Sequence, residues 1–154
     1  MTTAVRRLGF WSGLLSAAAA VAWFVTYSAR DAIWPMPAWQ DVDAYAAAYS
    51  PLRVLYVYPS LVLAVTFLVL LVCVHRAAPE SDKVWTLSAF ALGIVYSVMA
   101  TINYNIQAVA IPLTVASGDL AGVEMFLPDN VNGVFTALAN SYGYMALAMV
   151  AAGF

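Results

Sequence analysis

Apolar residues lie along the chain in four long blocks separated by short polar segments. The blocks without any Asp, Glu, Lys or Arg are residues 8–29, 54–74, 84–118 and 130–154. A helix needs about 20 apolar residues to cross the hydrocarbon core of a bilayer. The pattern predicts an all-α, polytopic integral membrane protein, an up-and-down bundle of four transmembrane helices in a single transmembrane domain. The predicted spans are about 8–28, 53–74, 84–110 and 131–154.

The polar segment 29–52, after the first span, is the longest connection. Pro35 and Pro37 exclude a regular helix through its middle, and the residues from Asp41 to Ser50 predict a short helix after them. Its Trp and Tyr side chains favour the headgroup layer, so we expect a short interfacial segment on the membrane surface. The alternative is a lid over a binding cavity.

The third apolar block is too long for one span, since a single helix would measure roughly 52 Å. Pro112 predicts a break, so this helix is expected to run from about Val84 to Ala110. The second span is richest in Val and Leu, and we expect it to face lipid.

Small residues recur at every fourth position in three spans, a spacing that lets helices approach closely. The stripes are Gly9, Gly13 and Ala17; Ala89, Gly93 and Ser97, continued by the polar residues Thr101 and Asn105; and Gly133, Ala137 and Ser141. We expect the stripe of the third span to pack against that of the fourth.

The composition narrows the class of protein. The chain is 64% hydrophobic and 9% charged, whereas soluble domains carry about 25% charged residues. A soluble globular protein, a disordered protein and a nucleic-acid binder are therefore excluded. The lipid bilayer is the expected partner, and no nucleic acid is.

The basic residues predict the orientation. Four of them flank one side of the predicted spans and two flank the other: Arg6, Arg7, Arg76 and Lys83 against Arg30 and Arg53. The excess marks the cytoplasmic side. We therefore expect a multi-pass protein of the cell (cytoplasmic) membrane with a cytoplasmic N-terminus.

The two ends of the chain raise separate questions. The first apolar run is too long for a signal peptide, which favours an uncleaved first helix. The chain ends at Phe154 without a polar tail. From this we expect either a truncated form of a longer protein or partners that cover this end.

Metal and catalytic chemistry have few candidate residues. One cysteine, Cys73, and one histidine, His75, make no metal site by themselves. No phosphate-binding loop, dinucleotide fingerprint or nucleophile motif occurs. We therefore expect no cofactor, no metal and no enzymatic activity.

Polar side chains inside the last two predicted spans are the only candidates for a site. They are Asn103, Tyr104, Asn105 and Gln107 in the third span and Asn140 and Tyr144 in the fourth. Antiparallel packing is expected to bring the four amides to similar depth. The favoured interpretation is that they bond the helices together, and the alternative is a small polar cavity for a neutral ligand.

The last third of the chain contains three recognisable sequence motifs, which are, in order, TINYNIQ, FLPDN and NGVFTALANSYGYMALAM. Its landmarks are Asn103, Tyr104, Gln107, Pro128, Gly143 and Tyr144. This part resembles a group of uncharacterised bacterial multi-pass membrane proteins. The group has no established activity, and its members generally have additional spans.

The sequence thus leads to two functional hypotheses. The first is a structural or partner-binding membrane module, which forms a homo-oligomer or joins other membrane subunits. The second is a transporter or channel subunit for a small neutral solute that uses the amide cluster. An intramembrane enzyme is disfavoured because the spans offer no acidic or basic side chain.

Overall fold

The computed structural model describes residues 2–119, 122, 124–127 and 134–153. Within them the chain forms helices and no strand: α1 Thr3–Ile33, α2 Val42–Ala48, α3 Val57–Ala77, α4 Lys83–Asn105, α5 Ile111–Ser117 and α6 Val134–Ala152. Short 3-10 turns occupy Pro51–Val54, Glu80–Asp82 and Glu124–Phe126. A π-helical turn, Ile106–Ala110, joins α4 to α5.

Three helical stretches are long and apolar enough to cross a membrane: Thr3–Ile33, Pro51–Ala77 and Glu80–Ser117. Each contains one of the first three predicted spans and extends beyond it. The fourth helix, α6, has 19 residues, and its crossing of a bilayer stays a prediction. Two residues named above lie outside the described residues. They are Pro128, which belongs to the resemblance, and Gly133, which begins the stripe of the fourth span.

The four long helices pack in chain order, each against the next, with α3 and α4 in the middle. Ser16 of α1 donates a hydrogen bond to Thr66 of α3 over 2.9 Å. Ser97 of α4 donates to the carbonyl of Ala64, also in α3, over 2.8 Å. The expectation that the second span mainly faces lipid is therefore wrong, because a helix between two neighbours buries two faces.

The small-residue stripe of α4 packs on α3 and not, as expected, on α6. A Cβ at Gly93 would overlap the side chain of Leu71, and the next stripe residue, Ser97, bonds to α3 as described. Helical periodicity identifies a face that needs a close neighbour, but it does not say which neighbour. The short turn between α3 and α4 brings these two helices together.

The α6 helix uses a different face from the one predicted. Ala139 and Ala146 are buried, and a Cβ at Gly143 would lie 2.9 Å from the Tyr96 ring of α4. Ala137 and Ser141, from the predicted stripe, are exposed. The contact between α4 and α6 thus sets small residues of α6 against a large aromatic residue.

The stripe on α1 does contact another helix. A Cβ at Gly9 would lie 3.2 Å from Cβ of Cys73, and one at Gly13 would lie 3.7 Å from Leu70. Since higher numbers on α1 meet lower numbers on α3, the two helices are antiparallel. Gly9 and Gly13 of the predicted stripe thus approach α3 closely, whereas Ala17, its third member, is exposed.

Pro112 does not break the helix where the sequence predicts. Proline lacks an N–H and its ring crowds the carbonyl four residues earlier, and the π turn immediately before it widens the backbone at that point. The N–H of Ile111 bonds to the carbonyl of Ile106, five residues back. The helix then continues to Ser117 and ends at Gly118, whose positive φ of 75° suits glycine.

The segment between α1 and α3 covers one end of the bundle, which we call the α2 end. Tyr45 is 5% exposed and packs with Ile111 and Leu127, and the Asp41 side chain caps α2 by accepting from the Ala44 N–H. Burial raises the pKa of the Tyr49 phenol, which keeps it neutral. The aromatic side chains therefore pack on protein, and their depth in a bilayer stays a prediction.

We expect Gly93→Leu to lower the free energy of unfolding by about 1–3 kcal/mol, because the added side chain meets the buried Leu71. Unfolding of the purified protein in detergent micelles measures the change. The control Ala91→Leu places the same side chain at an exposed position of α4, and its effect is expected to stay within about 0.5 kcal/mol. Equal losses would show that the packing faces are misassigned.

Candidate functional site

Gln107 is the centre of a buried hydrogen-bonded junction at the α2 end. It is 1% exposed, and its Oε1 accepts a 2.5 Å hydrogen bond from the Tyr56 hydroxyl. Its Nε2 donates to Oδ1 of Asn103 over 3.2 Å and to the carbonyl of Phe126 over 3.0 Å. One side chain thus links α4, the start of α3 and the segment that leads to α6.

The backbone around the junction explains why Gln107 can reach all three partners. Gln107 lies in the π turn, and this turn rotates the residues after it relative to a regular α-helix. Tyr56 stands just before α3 and is held edge-on by two rings, Tyr27 at 5.3 Å and Tyr104 at 6.4 Å between centroids. These ring contacts and the hydrogen bond together fix the position of the Tyr56 side chain.

Asn103 and Gln107 come together as the sequence predicts, whereas Asn105 does not join them. Asn105 is exposed, and its Nδ2 donates to the carbonyl of Thr101 in the preceding turn over 2.8 Å. Asn105 lies two positions after Asn103 in the helix, so its side chain points to a different face. The four-amide cluster therefore reduces to one bonded pair at this junction.

Asn140 and Tyr144 line a separate cavity of about 480 Å³ between α1, α3, α4 and α6. Tyr104 and Ser60 also line it. Tyr104 is buried, Asn140 is half-buried and Tyr144 is 69% exposed. The six candidate residues are thus divided among the junction, this cavity and the outer surface. No residue of segment 29–52 lines the cavity, so the described contacts give no support to a lid over it.

The polar groups of the Gln107 side chain are engaged within the protein. The Gln107 oxygen and nitrogen are both engaged by protein groups, and the residue is almost fully enclosed. Among the described residues there is also no group of three His, Cys, Asp or Glu side chains that could hold a metal. His75 lies 3.0 Å from the hydroxyl of Thr86 through Nδ1, so it joins α3 to α4.

A charged cluster beside the junction was missed at the sequence level. Arg30 and Arg53 are each 4% exposed, and both contact Oδ1 of Asp31, at 2.9 and 3.2 Å. The Arg30 guanidinium also lies 4.5 Å from the ring centroid of Tyr27 and 5.5 Å from that of Tyr56. One feature of the sequence predicts this proximity. Arg30 follows the first predicted span and Arg53 begins the second, so the two arginines lie at the same end of antiparallel helices.

Comparisons with known proteins give no relative for this chain. No family model matches it, and neither the curated proteins nor the solved structures contain a match. Any functional proposal therefore depends on the residues and their geometry.

We expect Gln107→Leu to lower the free energy of unfolding by about 1–3 kcal/mol, because it removes three hydrogen bonds of a buried side chain, two of them fully buried. Unfolding in detergent micelles again measures the change. The matched control is Asn105→Leu, which also replaces an amide in this stretch, but at an exposed site bonded to its own helix. A silent Gln107→Leu, or an equally harmful Asn105→Leu, would contradict the packing role.

Proposed function

We propose that this protein is a multi-pass protein of the cell membrane with four spans, a cytoplasmic N-terminus and a non-enzymatic, partner-binding role. The observation that carries the proposal is the use of the internal polar groups for packing. Gln107, Ser97 and Thr86 each bond to a neighbouring element. Such bonds stabilise a membrane bundle.

The three helices long enough to cross a bilayer and the apolar α6 support the number of spans. The distribution of Lys and Arg supports the orientation. The last third of the chain resembles a group of uncharacterised bacterial multi-pass membrane proteins. We propose that this chain belongs to that group, and that a bilayer surrounds the four helices.

The outer face of α6 is the proposed surface for a partner helix. Ala137, Ser141 and Ala148 fall on one side of α6 and are exposed. Among the described residues α6 packs mainly on α4, and this side of α6 contacts no other long helix. Small residues let a second helix come close enough for extensive van der Waals contact, and a second copy of this chain is the simplest such partner.

A second candidate function, binding of a neutral molecule, is favoured by one observation. Asn140 lines the 480 Å³ cavity rather than joining the junction. The hypothesis of a transporter or channel subunit that uses the amide cluster loses support, because Gln107 and Asn103 are bonded to each other.

Cysteine labelling in intact cells tests the proposed topology. In a Cys73→Ala background, Asp43→Cys and Asp119→Cys are expected to react with an impermeant maleimide from outside. Ser81→Cys is expected to react only after permeabilisation. All three positions are exposed, so access to the reagent depends on the side of the membrane. External labelling of Ser81→Cys would overturn the orientation.

Disulfide cross-linking in membranes tests the partner surface. Ser141→Cys, in the same background, is expected to give a product of twice the chain mass of 16.5 kDa. The control Val98→Cys lies at similar depth on the exposed side of α4 and is expected to stay monomeric. A product of another mass would identify a different subunit at this surface, and no product would contradict the proposal.

A further inference from the structure

The cavity between the four long helices has the size of a small-molecule site. Its volume of about 480 Å³ lies within the range of about 300–1,000 Å³ that small ligands occupy. One turn of an α-helix, roughly 10 Å wide and 5.4 Å long, already fills about 420 Å³. The cavity is therefore too small for a partner helix and large enough for a single lipid-like molecule.

The residues that line the cavity restrict the charge of any occupant. None of them is Asp, Glu, Lys, Arg or His, and most are apolar, with Ala20 on α1, Phe67 on α3 and Leu147 on α6 as examples. A charged group placed there would lose its hydration without gaining a counter-ion. The occupant must therefore be neutral and mainly apolar.

Among the described residues that line the cavity, only Asn140 carries an amide side chain. Unlike Asn103, Asn105 and Gln107, it makes no side-chain hydrogen bond to any residue in the described part of the chain. An amide offers two donors and a carbonyl acceptor, and leaving them unsatisfied in apolar surroundings is unfavourable. A ligand hydroxyl or carbonyl would satisfy this group.

Access to the cavity is from the side of the bundle. It is lined by α1 on one side and α6 on the other, and these helices pack mainly on α3 and α4. Tyr144, on the rim, is 69% exposed. In the bilayer that the proposed function assumes, this open side faces the hydrocarbon.

We infer that the cavity binds an uncharged amphiphile that enters laterally from the membrane. Its apolar chain lies between α1 and α6, and its single hydroxyl or carbonyl oxygen bonds to Asn140. A long-chain alcohol has this chemistry. The inference rests on the proposed function only for the placement of the helices in a bilayer.

Photolabelling of the full chain in lipid nanodiscs tests the inference. The probe is a diazirine-bearing hexadecanol, and unlabelled hexadecanol serves as competitor. We expect saturable labelling of peptides from α1 and α6. Asn140→Leu is expected to raise the half-saturating concentration by about three- to tenfold, the effect of one hydrogen bond.

Three controls separate specific binding from general partition into lipid. Asn105→Leu, an amide outside the cavity, is expected to leave the half-saturating concentration unchanged. Ala20→Phe, which fills the cavity, is expected to abolish saturable labelling while the unfolding temperature stays close to that of the wild type. Ionised hexadecanoate at pH 9 is expected to compete much more weakly than hexadecanol.

Equal effects of Asn140→Leu and Asn105→Leu, or labelling that Ala20→Phe does not change, would overturn the inference. Equal competition by the carboxylate would also overturn it, because the lining offers no counter-ion. Normal cysteine labelling of the same protein would then show that only the ligand site is wrong. External labelling of Ser81→Cys would instead show that the proposed membrane topology is wrong.

Discussion

The hydrogen-bonded junction at Gln107 is the interaction on which the rest of the structure depends. It connects the π turn after α4 with Tyr56 at the start of α3 and with the Phe126 carbonyl on the way to α6. In apolar surroundings a polar group without a partner is costly, so these groups strongly favour one arrangement of the elements. Tyr56 extends the junction to Arg30 through its ring, which ties in the end of α1. The α2 end is therefore held by these polar contacts together with the apolar packing around Tyr45 and Ile111.

The rest of the bundle is held by fewer polar contacts and by close packing. The α1–α3 and α3–α4 contacts contain the Ser16–Thr66 and Ser97–Ala64 hydrogen bonds. The α4–α6 contact relies instead on Gly143 against the Tyr96 ring. Because polar bonding is concentrated in the first three long helices, Asn140 on α6 is left facing a cavity. This division explains why one amide of the predicted cluster is available to a ligand while two others are not.

The sequence predicts the order and approximate bounds of the long helices, since these depend on charge-free length alone. It also places Asn103 and Gln107 together, because residues four apart share a helix face. The sequence does not predict which neighbouring helix a face contacts. Gly93, for example, packs on α3 and not on α6. The prediction fails at Pro112 because a π turn accommodates the missing N–H. The burial of Arg30 and Arg53 depends on tertiary contacts with Asp31 and two tyrosine rings, which local patterns do not encode.

A double-mutant cycle between Tyr56 and Gln107 tests the central claim most directly. Tyr56→Phe keeps the ring contacts with Tyr27 and Tyr104 and removes only the hydroxyl. The free energies of unfolding of wild type, Tyr56→Phe, Gln107→Leu and the double variant give the coupling energy in a bilayer or micelle. If this hydrogen bond holds the bundle together, a stabilising coupling on the order of 1 kcal/mol or more is expected. Losses that add within about 0.5 kcal/mol would contradict the claim that this hydrogen bond holds the bundle together.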